Sequence, residues 1–181
     1  MKKIFLLFIL LVLMCGTVAY AGNLYAKFKD YDKIRVFLKD IRNESGDKRV
    51  NIDGFRKVFK EVLKGRKNVS FVPVNNKSDA DVIMTVNIKG YIFKEKVLPR
   101  FFSAYSLAAD ATAPKNLAKI IVDYTINDSS GKELTSFKNF TTEERLPRKE
   151  SNGNEAYLAV VRKNVNRLLF RTFYEQRSRK Q

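Results

Sequence analysis

Histidine is absent from all 181 residues, and the single cysteine, Cys15, lies in an apolar leader. Ser–His and Cys–His nucleophiles are thereby excluded, along with thiolate chemistry and His/Cys zinc sites. So is the one side chain whose ordinary pKa switches near neutrality. Beyond residue 22 the glycines are scattered singly, at Gly46, Gly54, Gly65, Gly90, Gly131 and Gly153, and none sits in a phosphate-cradling loop. What survives is carboxylate or Ser–Lys chemistry. Asp79 and Asp81 bracket Ala80, and strand alternation would point both to one side. Two carboxylates supply fewer oxygens than a hard cation needs, so turn and strand-cap duty is expected of them. Glu143 and Glu144 stand beside Arg145, Arg148 and Lys149 and read as a solvated charge cluster. Asp123 alternates with apolar positions and should face outward. No acid–base pair emerges. The chain reads as non-enzymatic, with no catalytic residue, metal ligand or cofactor expected.

Two features suit binding instead. The connection 97–117 is long for a loop inside a compact domain. It carries Phe101, Phe102, Tyr105 and Leu107 beside Arg100, a combination that suits an anionic lipid surface or a partner's groove. The bland alternative is a cap over an open sheet edge or face. The second feature is Lys163, Arg167 and Arg171, which repeat every fourth residue and are continued by the cations of the tail 177–181. Basic residues near an anionic surface contribute about 1 kcal/mol each, enough for a weak, salt-sensitive docking site. An ordinary solvated helix face is the competing reading.

The elements that must position these residues follow from periodicity. Ile34, Val36 and Leu38 alternate with Arg35, Phe37 and Lys39 as in a strand, and the polar run 43–47 closes it with turn chemistry. Ile52, Phe55, Val58, Phe59, Val62 and Leu63 recur at steps of three and four, which makes an amphipathic helix. Asn51 or Asp53 caps its start, and Gly65 sits where a left-handed stop is expected. Residues 69–74 form a short strand that Pro73 places at an edge. Val82, Met84, Val86 and Ile88 mark the longest strand, which Gly90 interrupts with a bulge or bend. Ile120, Val122, Tyr124 and Ile126 mark another, and the turn 128–131 folds it into 134–142 as a hairpin. A second helix, about 155–176, carries the stripe Leu158, Val161, Val165, Leu168 and Leu169, with Asn152 and Glu155 at capping-box spacing. The expected architecture is α+β: a two-layer sandwich, a mixed sheet of about five strands with two amphipathic helices on one face.

Export is written in the first residues. Lys2 and Lys3 precede the unbroken apolar run 4–14, and Ala19-Tyr20-Ala21 supplies a small-x-small cleavage signal. Residues 1–21 therefore read as a signal peptide, 22–32 as a tether, 33–176 as one domain and 177–181 as a basic tail. An uncleaved anchor is the alternative, weakened by Gly16 and Thr17, since a span takes about 20 apolar residues. Met14 before Cys15 departs from the small residue that lipid attachment prefers, so a lipid anchor at Cys15 ranks second to cleavage. The formal net charge is +16, an excess that favours anionic partners and opposes self-association. Export turns that preference away from nucleic acid. Acidic phospholipid, lipopolysaccharide phosphates or an acidic envelope protein become the expected partners, in the periplasm or at the outer membrane.

Three stretches carry a family likeness. They are the opening strand Ile34-Arg35-Val36-Phe37 with its turn Arg42-Asn43-Glu44-Ser45, the segment from Ala80-Asp81-Val82-Ile83 to Ile88-Lys89-Gly90-Tyr91, and the hairpin Asn127-Asp128-Ser129-Ser130-Gly131-Lys132-Glu133-Leu134. In this order the chain resembles the LPS-assembly lipoprotein family. More distantly it is similar to the curli-secretion lipoprotein, the penicillin-binding-protein activator lipoproteins and the amino-terminal domain of the Tol-system propeller protein. The resemblance implies an α/β module that serves as a non-catalytic adaptor at the outer membrane, assisting envelope assembly by binding a protein or lipid. The alternative expectation is a periplasmic binding protein for an anionic small molecule or lipid held against the 101–107 loop. Intact-mass measurement of the exported protein should show a chain beginning at Gly22; an acylated Cys15 terminus would replace the cleaved form.

Overall fold

Alternation in the opening strand separates a buried set (Ile34, Val36, Leu38) from an outward set (Arg35, Phe37, Lys39), and the chain there forms β1, Ile34–Asn43. The computed structural model describes residues 23–65, 69–97, 115–147 and 153–174. The apolar stripe that follows folds as helix α2, Ile52–Lys64, burying Phe55, Val58, Phe59, Val62 and Leu63. Asn51 caps it, its side-chain oxygen accepting from the Gly54 amide at 2.8 Å. Gly65 does not make the expected left-handed stop. Its φ is −78°, and its amide still reaches the Glu61 carbonyl, so the helix ends on an ordinary turn. Strand β2, Phe71–Val74, lies parallel to β1 at the sheet edge, as Pro73 requires.

A 3-10 turn, Lys77–Asp79, then carries the chain across β1 to strand β3, Val82–Val97, which pairs parallel to β1 on its other side. Antiparallel β4, Lys115–Asp128, and β5, Glu133–Pro147, complete the order β2-β1-β3-β4-β5. The sheet is thus mixed and five-stranded. Its register slips between Ile88 and Gly90, the bulge expected at that glycine. Gly131, at φ +94°, closes the β4–β5 turn in a conformation that side chains rarely adopt.

The last helix, α3, Gly153–Phe173, lies beside α2 on the same face of the sheet. It buries more than the expected stripe. Ala156, Tyr157, Val160, Asn164, Thr172 and Phe173 join Val161, Val165, Leu168 and Leu169, while Leu158 is half-buried. The reason is its position: α3 touches α2 on one side and β4 and β5 on another, so a wide arc of its surface meets protein. Gly54 makes the helix contact close; a Cβ there would stand 2.9 Å from Leu158 Cδ2. Arg162 reaches Glu61 across the pair at 2.7 Å.

The segment 22–32 is not a free tether where it is described. Residues Tyr25–Phe28 form a single-turn helix, α1, and Phe28 is buried edge-on against Phe173, ring centroids 5.7 Å apart. The Asn23 side-chain amide donates to the Arg171 and Tyr174 carbonyls, and the Leu24 amide donates to that of Thr172, so this segment satisfies the open end of α3. One turn is too short to show a period, which is why the sequence reads as unpatterned there. The leader 1–21, Asn152 and the tail 177–181 lie outside the described residues.

The crossing over β1 is held by a carboxylate. Asp81 accepts from the Arg35 amide at 2.8 Å and from both Nε and Nη2 of its guanidinium, at 3.1 and 2.8 Å. These hydrogen bonds hold the Asp81 carboxyl below its ordinary value. The folded-state pKa lies under the unfolded one, so the contribution is complete above about pH 5 and is lost as pH falls through the folded value. Wild type should therefore melt about 2–4 °C above Asp81→Asn near pH 6, with the difference closing towards about pH 2; calorimetry at both ends measures it.

Candidate functional site

β5 is the outermost strand, and α3 runs along its inner side. Phe137 and Phe140 are both buried against the helix layer although they stand three apart, a spacing that would put them on opposite faces of a regular strand. A bulge resolves this. Tyr124 pairs with Phe137 and Val122 with Phe140, so Lys138 and Asn139 together oppose Asp123. Asn139 takes the left-handed conformation, φ +50°, and its amide donates to Asp123 Oδ1 at 2.7 Å. Lys138 stands 3.7 Å from the other Asp123 oxygen. Asp123 does lie on the outer face, as expected, but it serves to pin the bulge.

Over the two rings hang two arginines. The Arg167 guanidinium lies 5.7 Å from the Phe140 centroid, and that of Arg171 lies 5.5 Å from the Phe137 centroid. A guanidinium over a ring face keeps its N–H edge open to acceptors such as carboxylates. Arg167 also donates from Nη1 to the Thr141 carbonyl at 3.1 Å. Among the described residues neither arginine meets a carboxylate. Lys163 does: its ammonium is paired with Glu144. The three cations that look equivalent in sequence thus divide into one neutralised residue and two presented ones.

Between them and the strand is a notch of about 340 Å³, lined along 136–141 by β5 and closed by Arg167 and Arg171. Its lining is polar where Ser136, Asn139 and Thr141 face it, with the cations above. Beneath it a buried network fixes the geometry. The Tyr124 hydroxyl donates to Asn164 Oδ1, and Asn164 Nδ2 donates to the Phe140 carbonyl at 3.2 Å and to Thr142 Oγ1 at 3.0 Å. Burial drives the Tyr124 phenol well above its ordinary range, so it stays a neutral donor.

The carboxylates weighed for chemistry are each engaged. Asp81 is clamped to Arg35, Asp79 accepts from Ser78 and Asn76 within its turn, and Glu143 lies 3.3 Å from Lys119. The tyrosines Tyr91 and Tyr157 pack edge to face at 5.2 Å, and burial pushes the Tyr91 phenol up to about 12. Of the binding residues expected from sequence, Arg167 and Arg171 come together with residues that sequence reasoning did not single out: Phe137, Asn139, Phe140 and Asn164. The odd spacing of the two phenylalanines was the available signal. Arg100, Phe101, Phe102, Tyr105 and Leu107 lie outside the described residues.

No family model matches the sequence, and no curated protein does. Among solved structures, the chain is similar to the PelC dodecamer from Paraburkholderia phytofirmans, with TM-score 0.41 and 12% identity over 80% of this chain and 89% of that one. Lipoprotein GNA1162 from Neisseria meningitidis gives 0.38 and 12%, over 70% and 92%. The hypothetical protein CT253 from Chlamydia trachomatis gives 0.46 and 10%, over 76% and 96%. Superpositions this loose, at such identities, assign neither family nor function.

Replacing Asn164 by alanine strands the Tyr124 hydroxyl and removes the donor to Phe140 and Thr142. The expected cost is about 2–4 kcal/mol of stability, measured by denaturant unfolding.

Proposed function

We propose that this chain is an exported, non-catalytic adaptor of the cell envelope that docks an envelope protein or anionic lipid through a basic surface. The observation that carries the reading is the pair Arg167 and Arg171, held over buried rings and facing no carboxylate among the described residues. Neighbouring cations that meet no carboxylate repel each other and gain most from an anionic ligand. The amino-terminal leader supports placement outside the cytoplasm. The resemblance to LPS-assembly lipoproteins agrees with a role in outer-membrane assembly, and the engaged state of Asp79, Asp81 and Glu143 favours binding over turnover.

Crosslinking and recovery from envelope fractions test this directly. The double variant Arg167→Glu/Arg171→Glu should lose at least about tenfold of the recovered partner, since each reversal replaces attraction by repulsion. Phe101→Ala/Phe102→Ala, compared in parallel, reads the contribution of the aromatic loop. Full recovery by both variants would remove the docking reading.

A further inference from the structure

We infer that the Arg167–Arg171 notch receives an extended acidic segment of a partner protein in which two carboxylates alternate, as in Glu-x-Glu. The inference rests on the adaptor reading above and specifies the chemistry of its partner.

Shape comes first. The notch follows 136–141 of a single strand, whose five steps span at most about 17 Å at 3.3 Å each, less where Asn139 bulges. A volume of about 340 Å³ drawn out over such a length is a trough, suited to a chain laid along it more than to a compact headgroup. Spacing comes second. Side chains four apart on a helix have Cβ atoms about 5–6 Å apart. Alternate residues of an extended strand point to the same side about 6.6 Å apart. Adjacent acids would point to opposite sides. Two guanidiniums on successive turns therefore match carboxylates at i and i+2, each able to take a two-point hydrogen bond from an arginine fork. Contact with the rings of Phe140 and Phe137 holds both guanidiniums over the strand before the ligand arrives, which lowers the ordering cost of binding.

A second copy of this chain is a poor occupant. The bulge at Lys138 and Asn139 interrupts the pairing edge, Lys138 is exposed, and Arg167 already takes the Thr141 carbonyl. These are devices that blunt an edge strand against its own kind. Two copies edge to edge would also bring four arginines together. For the same reason the partner's backbone need not complete the sheet, and recognition falls to its side chains.

The test uses the purified exported protein and short labelled peptides. A Glu-x-Glu peptide is compared with an isomer of the same composition whose two glutamates are adjacent. The alternating peptide should bind at least about tenfold more tightly, and binding should weaken as salt rises past the screening range of about 0.1–0.3 M. Arg167→Glu/Arg171→Glu should abolish it and gain affinity for the matching Lys-x-Lys peptide. If charge reversal prevents folding, judged by the melting curve, Arg167→Gln/Arg171→Gln carries the same comparison. Equal binding of the two isomers, or unchanged binding by a folded variant, overturns the inference. So does binding of phosphatidylglycerol vesicles through these arginines with no peptide binding. Should the envelope partner still depend on both arginines while neither peptide binds, the alternating-acid motif fails and the adaptor reading stands.

Discussion

One buried amide holds the working side of this molecule together. Asn164 is fully buried in α3 and joins β4, through Tyr124, to β5, through the Phe140 carbonyl and Thr142. Hydrophobic burial alone is non-directional and would tolerate a helix sliding along the sheet. A fully buried side-chain amide does not tolerate it, because each unmade hydrogen bond in the interior costs about 1–3 kcal/mol. The network therefore sets the register of α3 on the sheet. Arg167 and Arg171 stand one and two turns further along the same helix, so their position over the rings of β5 follows from that register.

The bulge in β5 works with this anchor. It adds one residue to the strand, which reverses the alternation and turns Phe137 and Phe140 to the same side. Without it only one ring would face the helix, and only one arginine would find an aromatic surface. Asp123 fixes the bulge from the neighbouring strand by accepting from the Asn139 amide. A residue that looks like an ordinary solvent-facing acid thus has a structural task, on the strand next to the one the arginines cover. The same bulge keeps a long outer strand from presenting a regular edge.

At the other end of the sheet the constraint is topological. β2 and β3 both run parallel to β1 on opposite sides, so the chain must cross β1 between them, with only the 3-10 turn Lys77–Asp79 to carry it. The Asp81 carboxylate ties that crossing to the Arg35 backbone and side chain. The segment that precedes β1 plays a comparable part, satisfying the last carbonyls of α3 and covering Phe173 with Phe28. The two halves of the chain are joined there, which is why the domain begins earlier than its first periodic residue.

Periodicity along the sequence determined the strands β1, β3, β4 and β5, both long helices, the edge placement of β2 and the bulge at Gly90, because each of these is a local pattern of apolar and breaking residues. Composition by itself gave the absence of imidazole and the basic-then-apolar start of the chain, Lys2-Lys3 followed by the run 4–14. Tertiary structure decided what local patterns do not encode. It docked 23–32 on α3, since a one-turn helix has no period to read, and it left Gly65 right-handed, since a glycine permits a left-handed stop without requiring one. It also separated Lys163 from Arg167 and Arg171. In sequence these are three equal cations four residues apart. Only the approach of β5 gives the first a carboxylate, at Glu144, and the other two an aromatic ring. Electrostatic partners are chosen by distance in space, and distance between segments is fixed by packing and register, which no single stretch of chain contains.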